Sequence, residues 1–374
     1  MVPRRKFLRA IVSVLIAWAA GVPPALARDV SWLADVQRPL QLADLPQLTP
    51  LLVDADGQSI TTLDAWKAER DRIRGRWLKF LGPMPAKPPA VRLEVLRRDE
   101  LPGCQRQLIR YESESGLPVE GYLLRPHADV PGRDAKGRRA GLVALHQWSP
   151  DSIDGIAGVR GPDAQHLGLK LAQQGFIVFC PRCFLWQNTD DHRQAVDEFR
   201  RRHPRTLAMH KMLWDARRGV DVLVSLTNEV DEKRIGAVGH SLGAKETLYL
   251  AAFDERITAA VASEAGIGLT FSDWDAPFYL GEAVRAANFH LDHHQLLGLI
   301  APRPFLILAG ETGPPAPSTD DGDRTWPYVA AALPVYRLYG SIPRIGLYDH
   351  REGHTISEAT FARLAEWLRT YLGV

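Results

Sequence analysis

The chain has 374 residues, of which 45% are hydrophobic and 24% are charged, and its formal net charge is +2. This composition is ordinary for a soluble globular protein, and the length allows one large α/β domain or two smaller ones. The near-zero net charge gives no electrostatic basis for a nucleic-acid partner.

The first 27 residues have the pattern of an export signal. A basic head precedes an apolar run over 10–22, and Ala25 and Ala27 stand where a signal peptidase reads small residues. Arg4-Arg5-Lys6-Phe7-Leu8 is typical of a twin-arginine signal. A membrane anchor is the alternative, but the apolar run is shorter than the ~20 residues of a spanning helix. The pattern predicts a periplasmic or secreted bacterial protein with no stable membrane insertion after cleavage.

Residues 28–90 are predicted to form an N-terminal extension, and residues 91–374 the catalytic domain. The extension contains one amphipathic helix over 61–82, and we expect it to lie against the outside of the main domain. The apolar residues predicted to share its face are Leu63, Trp66, Ile73, Trp77 and Leu78.

From residue 91 the pattern becomes that of an α/β domain. Three strands come first, and from residue 141 strands alternate with helices of 10–15 residues. The predicted strands of this second part are GLVALH, FIVFC, RIGAVG, ITAAVAS, RPFLILAG and RIGLYD. A loop region over 265–303 interrupts the alternation as a short cap. The pattern predicts a mostly parallel, twisted sheet with helices on both faces.

The segment Gly239-His240-Ser241-Leu242-Gly243 stands where a predicted strand is followed by a helix. Glycines two positions to either side remove side chains from a tight turn, and the G-x-S-x-G pattern is typical of a nucleophile elbow. Serine is a weak nucleophile, so it needs a base within hydrogen-bond reach. In this architecture the order along the chain is Ser, then Asp or Glu, then His. The segment predicts Ser241 as the catalytic nucleophile.

The predicted base is His354, in the short loop between the last strand and the last helix. A T-x-x-E capping box at Thr355 and Glu358 predicts that the helix begins just after it, which places the imidazole at the same sheet edge as the elbow. His350, nearer the strand end, is the alternative base. The remaining histidines of this half, in the cap region, are predicted to be polar surface or pocket wall: His290, His293 and His294.

The orienting acid has three candidates. Asp323 begins a D-x-x-x-P pattern that ends at Pro327, in the loop after FLILAG, and this form is common in hydrolases of this type. The stretch ETGPPAPST lengthens that loop, so Asp321 is one alternative. Glu264 is the other, because it stands at the end of the strand ITAAVAS, where a carboxylate also faces the imidazole.

Two backbone N–H groups are needed to stabilise the oxyanion of an ester transition state. Leu242, directly after the nucleophile, is predicted to supply one, and Gln147 or Trp148, after the strand GLVALH, the other. Trp148 and the aromatic residues of 271–281 are candidates to line the pocket, with plain cap packing as the alternative. No motif for a metal or an organic cofactor is present, and Cys180 and Cys183 follow an apolar strand, which argues against a redox role.

From about residue 60 to its end, the chain resembles the α/β-hydrolase superfamily, and within it the bacterial branch of dienelactone hydrolases, acetyl xylan esterases and glucuronoyl esterases. The motifs that carry the resemblance are GHSLG, EGH before the last helix, ALHQWSPDS and ERDRIRGRWLKFLGPMP. The resemblance implies that Lys245, four residues after the nucleophile, contacts sugar hydroxyls, and that Glu264 is the acid. Glucuronoyl esterases have an arginine directly after the serine, where this chain has Leu242, a departure that bears on uronate-ester specificity.

Together these patterns predict an exported serine esterase that acts through an acyl-enzyme, with carbohydrate esters as the substrates that the resemblance implies. A serine peptidase of the same fold is the first alternative, although such enzymes usually carry a large gating domain for which this chain has no spare length. A non-catalytic binding protein is the second, and the pair Ser241 and His354 argues against it.

Overall fold

The computed structural model describes residues 29–40, 46–84, 90–187, 189, 191–311 and 321–374. The predicted export signal at 1–27 lies outside the described residues. Among the helices of the described ranges, none is both long enough and apolar enough to cross a membrane.

The described residues contain a single nine-stranded sheet. Its strands are β1 Glu94–Leu101, β2 Cys104–Glu114, β3 Leu117–Pro126, β4 Arg139–Leu145, β5 Ile177–Pro181, β6 Val230–His240, β7 Ile257–Ser263, β8 Phe305–Ala309 and β9 Ile345–Asp349. Their order across the sheet is β1-β2-β3-β5-β4-β6-β7-β8-β9. The first three strands are antiparallel to their neighbours, whereas β5, β4 and β6 to β9 all run parallel. The prediction of a mostly parallel sheet is therefore confirmed.

Helices cover both faces of this sheet. They are α1 Leu63–Leu81, α2 Ser152–Ile156, α3 Leu167–Gln173, α4 His192–Arg202, α5 Ala208–Ser225, α6 Leu242–Phe253, α7 His293–Ile300, α8 Trp326–Leu338 and α9 Glu358–Leu372. Successive residues of β8 point to opposite faces: Phe305 and Ile307 pack in a core with α5, α6 and α8, whereas Leu306 and Leu308 pack in a core with α3 and α9. Because both faces are buried, the strands read as continuous apolar runs.

The helix of the N-terminal extension packs against α7. Thr62 caps α1 by accepting a hydrogen bond from the Ala65 N–H. Trp77 is fully buried, and its indole N–H donates to the Gln295 side chain at 3.0 Å. The predicted apolar face is confirmed at Trp77 but wrong at Leu63, which is 45% exposed. The extension is thus bound to the core by burial of its central indole.

Two local predictions are wrong. The cap region, predicted as a loop, contains α7, and its His293 is buried: the ring lies 5.5 Å from that of Trp77, and its Nε2 is 2.9 Å from the Tyr249 hydroxyl. The last helix begins at Glu358 with Ser357 as its cap, two residues later than the predicted capping box at Thr355. Ser357 Oγ accepts from the Thr360 N–H and satisfies the first turn.

Candidate active site

The turn between β6 and α6 holds Ser241 in a strained conformation. Ser241 has φ 56° and ψ −118°, a positive φ that residues with a side chain rarely adopt. A Cβ on Gly239 would lie 2.2 Å from the Gly243 carbonyl oxygen, and a Cβ on Gly243 would lie 2.1 Å from the Leu145 carbonyl oxygen. Both glycines are therefore required by close backbone approach, which is the physical reason for their spacing around the serine.

The parallel strands end at one edge of the sheet, and the candidate residues follow those ends. The β4–β6 register pairs Leu145 with Gly239, and the β6–β7 register pairs His240 with Ser263. Ligands in open α/β sheets bind outside the carboxyl ends of the strands. The residues directly after β4, β6, β7, β8 and β9 are His146, Ser241, Glu264, Gly310 and His350.

His354 lies beside the elbow. Its ring centroid is 4.7 Å from that of His240, the residue before Ser241, and its side chain is exposed. His240 is itself held to β7, since its Nδ1 is 3.0 Å from Ser263 Oγ. The His354 imidazole is therefore next to the turn that holds Ser241, on the solvent side of it.

His350, the alternative base, is enclosed. Its side chain is 2% exposed, its Nδ1 accepts from the Glu352 N–H at 3.2 Å, and its Nε2 lies 3.4 Å from Glu264 Oε1. Burial lowers the pKa of the His350 imidazole. Both ring nitrogens are therefore enclosed by the protein.

Glu264 lies directly under the histidine loop. It follows the last residue of β7 with φ 60°, and its side chain is fully buried. Gly353, the residue before His354, donates its N–H to the Gly310 carbonyl at 2.8 Å. A Cβ on Gly310 would meet Glu264 Oε1 at 2.6 Å and the Gly353 carbonyl at 2.1 Å. The Glu264 carboxylate and the Gly353 carbonyl, directly before His354, therefore both lie next to Gly310.

The other two acids have different partners. Asp323 receives two hydrogen bonds from the Arg351 guanidinium, at 2.9 and 3.0 Å, and its side chain is 37% exposed. Asp321 is buried and accepts from the backbone N–H groups of Gly266 and Ile267, at 2.9 and 2.7 Å. Burial raises the pKa of the Asp321 carboxyl, although these amides act in the opposite direction. Asp321 therefore holds the chain that follows Glu264.

The loop after β4 is fixed by His146, a residue to which the sequence analysis gave no role. The Cys183 N–H donates to His146 Nε2 at 3.2 Å, so the proton is assigned to Nδ1, which donates to the Gln147 carbonyl at 2.9 Å. Burial lowers the pKa of this imidazole to about 4, so it is neutral. Because C=O and N–H point in opposite directions across a trans peptide, the Trp148 N–H is directed away from His146. The sequence signal for this role of His146 is a histidine directly after an apolar strand.

Lys245 is buried, and its ammonium group faces the cap. It donates to the Ala265 carbonyl at 2.8 Å and to Ser272 Oγ at 2.7 Å, and it lies 3.0 Å from Asp273 Oδ1. The ammonium also lies over the Trp274 ring, 4.1 Å from the centroid. An ammonium has three N–H donors, and these contacts provide three oxygen atoms to receive them. These contacts connect α6 to the segment that follows Glu264.

Trp148 borders an open groove beside the loop after β4. It is 39% exposed, and its ring lies 5.0 Å from that of Phe278, in the aromatic segment of the cap. The groove has a volume of about 780 Å³, within the range of ligand sites. Its other wall is α4.

The remaining chemistry-bearing residues form no further centre in the described part of the chain. No group of three or more His, Cys, Asp or Glu side chains there is arranged to hold a metal ion. Cys104, Cys180 and Cys183 are free and buried, and burial raises the pKa of each thiol. The spacing of Cys180 and Cys183 therefore does not correspond to a disulfide.

The comparisons with known proteins agree with this geometry. The dienelactone hydrolase family model matches residues 153–264, which include Ser241 and Glu264. A search of the curated proteins found no match. The family match and the sheet of parallel strands with its elbow confirm the predicted resemblance to the α/β-hydrolase superfamily, and they support a carboxylic ester hydrolase.

Solved structures with similar folds include two glucuronoyl esterases. The one from Solibacter usitatus is 17% identical with a TM-score of 0.66, and the match covers 88% of this chain and 98% of that one. The family 15 carbohydrate esterase from Teredinibacter turnerae is 20% identical with a TM-score of 0.64, over 86% and 88% of the two chains. A Bacteroides fragilis protein provisionally described as an acetyl xylan esterase is 12% identical with a TM-score of 0.58, over 82% and 80%. At these identities the likeness establishes the fold.

Proposed function

We propose that this protein is an exported serine hydrolase that cleaves carboxylic esters of carbohydrates through an acyl-enzyme. The observation that carries the proposal is the strained elbow, which holds Ser241 at φ 56° on the ligand-binding edge of the sheet, between glycines that close backbone contacts require. Strain of this kind costs roughly 1–3 kcal/mol and persists where function needs it. The names of the structural neighbours support carbohydrate esters as the substrate class.

In the first half of the reaction, Ser241 Oγ attacks the ester carbonyl carbon and His354 takes the hydroxyl proton. The Leu242 N–H, the first of α6, stabilises the oxyanion together with an N–H of the loop after β4, from Gln147 or Trp148. The helix N-terminus adds the positive end of its dipole to this position. When the intermediate collapses, His354 returns the proton to the leaving alcohol.

In the second half, water attacks the acyl-enzyme. His354 removes a proton from the water, the second tetrahedral intermediate forms in the same oxyanion hole, and the acid product leaves as Ser241 regains its proton. No step needs a metal ion or an organic cofactor.

We assign the orienting carboxylate to Glu264 rather than to Asp323, the first choice from sequence. Glu264 is fully buried beside the backbone that carries His354, where a charge acts strongly on an imidazole. Asp323 is half-exposed and is already neutralised by Arg351. His350, 3.4 Å from Glu264, contributes by holding this carboxylate in place.

The nucleophile is tested with Ser241→Ala, and Ser225→Ala is the control. Ser225 stands at the end of α5, and its hydroxyl donates to the Val222 carbonyl of the same helix. Ser241→Ala is expected to lose hydrolysis of p-nitrophenyl acetate, acetylated xylan and methyl glucuronate esters, with unchanged thermal unfolding. The substrate with the highest kcat/KM identifies the ester class. Retention of more than a trace of activity by folded Ser241→Ala would overturn the mechanism, and cleavage of peptides in preference to esters would favour the peptidase.

The acid is tested with the matched pair Glu264→Gln and Asp323→Asn. We expect Glu264→Gln to lower kcat by roughly 10⁴, because an amide neither stabilises the imidazolium nor fixes its tautomer. Asp323→Asn is expected to stay within about threefold of wild type, since exposed ion pairs contribute little. The reverse pattern would return the acid to Asp323, and loss of activity only in the double variant would mean that the two carboxylates share the role.

Export is tested separately. Arg4→Lys with Arg5→Lys is expected to keep the full-length chain in the cytoplasm, whereas the wild type is recovered from the periplasm cut after Ala27. Normal export of the double variant would mean that the signal is an ordinary secretory one.

A further inference from the structure

We propose that the groove between Trp148 and α4 is a binding subsite for a neutral sugar ring of the carbohydrate chain that carries the ester. The inference deepens the proposed function, on which it rests for the identity of the reacting group. It adds a place for an unreacting sugar, at one side of the elbow. The evidence consists of the aromatic floor of the groove, the polar face of α4 and the continuity of both with the loop after β4.

The floor of the groove is aromatic and is kept rigid by neighbouring rings. The Trp148 ring lies 5.0 Å from that of Phe278 and 4.2 Å from that of His192, and Trp186 supports it from below at 5.1 Å. Trp148 nevertheless stays 39% exposed, one of few large apolar side chains with that exposure in the described residues. A flat, immobilised and solvent-facing indole presents the surface on which the C–H face of a pyranose ring packs.

The wall of the groove is one face of α4. The residues of α4 that line it occupy positions i, i+3, i+4 and i+7, which share one side of a helix: Arg193, Val196, Asp197 and Arg200. Arg200 donates to the Pro277 carbonyl at 3.3 Å, which fixes the width of the groove against the cap. In the described residues, the side chains of Arg193 and Asp197 make no hydrogen bond or ion pair, so a donor and an acceptor are available above the indole.

These features indicate which class of ligand fits the groove. The charged side chains of the lining comprise two arginines and two aspartates, a balance that gives no net attraction for an anion or a cation. Exposed donors and acceptors beside an aromatic face suit a ligand with hydroxyl groups around an apolar ring face. An apolar alcohol would leave Arg193 and Asp197 without partners and would gain nothing from them.

The position of the groove connects it to the reaction. Trp148 directly follows Gln147, and the Gln147 carbonyl is fixed by His146, so the indole and the oxyanion loop form one rigid unit. In this proposal, a chain whose ester carbonyl lies at Ser241 extends from the oxyanion loop across the Trp148 ring. The volume of about 780 Å³ accommodates more than a single small acyl group.

The test measures binding without catalysis. In the Ser241→Ala background, xylohexaose and cellohexaose are titrated by calorimetry, with Trp148→Ala and Arg193→Ala added singly. Arg201→Ala is the matched control, because Arg201 is an exposed arginine on the same helix that does not line the groove. We expect one of the two oligosaccharides to bind, with a Kd raised at least about tenfold by Trp148→Ala and about threefold by Arg193→Ala, and unaltered by Arg201→Ala.

The outcomes separate this inference from the proposed function. Binding that none of the groove variants weakens, or no binding of either oligosaccharide at 10 mM, would overturn the subsite while leaving the Ser241 chemistry to its own test. Binding of benzyl alcohol at the groove in place of the oligosaccharides would identify an apolar alcohol site and would likewise overturn it. Circular dichroism of Trp148→Ala checks its fold, and Arg193→Ala gives an independent readout if that variant is unfolded.

Discussion

Glu246 is expected to make the stability of the protein fall as the pH rises above neutrality. Its carboxyl lies on α6, fully inside the core, and burial raises its pKa from 4.5 to about 8. The Cys183 thiol, its hydrogen-bond partner, acts in the opposite direction, and the nearby Asp215 adds to the rise. At neutral pH the folded protein therefore holds Glu246 in the protonated form, because no cation of the described residues forms an ion pair with it and an uncompensated buried carboxylate is unfavourable.

The direction and size of the effect follow from proton linkage. Between pH 4.5 and about 8 the folded state keeps this proton, whereas the unfolded chain has released it, so unfolding releases a proton and becomes easier as the pH rises. Each pKa unit corresponds to about 1.4 kcal/mol, which gives an upper bound of about 5 kcal/mol for the whole range. Between pH 7 and 9 the expected fall in the free energy of unfolding from Glu246 is about 1–2 kcal/mol.

Buried histidines make the stability of the protein depend on pH in the opposite direction, and they do so in a lower pH range. Burial lowers the pKa of His146 and His294 to about 4 and that of His293 to about 3. These imidazoles are neutral in the folded protein, so their contribution is lost as the pH falls below about 6.5, where the unfolded chain takes up protons. Above pH 7 they are neutral in both states, which makes pH 7 to 9 the informative window.

The assay is urea unfolding of Glu246→Gln and wild type at several pH values, followed by tryptophan fluorescence. We expect the variant to gain about 1–2 kcal/mol over wild type between pH 7 and 9, because glutamine stays neutral throughout. Glu255→Gln is the control, since Glu255 is 66% exposed and its hydrogen bond with Arg70 lowers its pKa. A difference between Glu246→Gln and wild type that is constant with pH would refute the reasoning.

Three further results are expected. Gly243→Ala, which places a Cβ 2.1 Å from a backbone oxygen, should unfold at a lower temperature and lose esterase activity, whereas Gly75→Ala, with open space on α1, should gain about 0.5–1 kcal/mol. A stable and active Gly243→Ala would contradict the packing of the elbow. Lys245→Met should lower kcat/KM for p-nitrophenyl acetate and for carbohydrate esters alike and cost about 1–3 kcal/mol of stability, whereas a loss confined to carbohydrate esters would assign Lys245 to sugar contact. The three buried thiols should react with Ellman's reagent only after unfolding, and rapid labelling of the native protein would place one at the surface.

The parts of the structure that were predictable from sequence are those with short-range causes. Each of the strands β4 to β9 contains a run of mainly apolar residues, as expected for strands that are covered on both faces. The elbow is visible because two close backbone contacts each require a glycine at a fixed distance from Ser241. Both signals lie within a few residues of the feature that they specify.

Other parts depend on contacts between distant segments. The sequence predicts a loop region over 265–303, whereas the structure has α7 there, with His293 buried against Trp77 and Tyr249. The cap of α9 is Ser357 rather than the predicted Thr355, so the helix begins at Glu358. Sequence spacing alone does not distinguish two hydroxyl residues that stand two positions apart.

The spacing of residues along the sequence does not by itself choose between the candidate acids. In a parallel sheet, residues after β7 and after β8 reach the same edge, so Glu264 and Asp323 satisfy the order of the triad equally well. What separates them is the position of one cation: Arg351, in the loop between β9 and α9, extends toward Asp323 and pairs with it. The Glu264 carboxylate lies at the sheet edge beneath that loop, and because it is fully buried its charge is least screened by solvent. The proposed assignment of the acid therefore depends on how the loop that carries His354 folds back across two strand ends, a property of three segments that are separated by tens of residues in the chain.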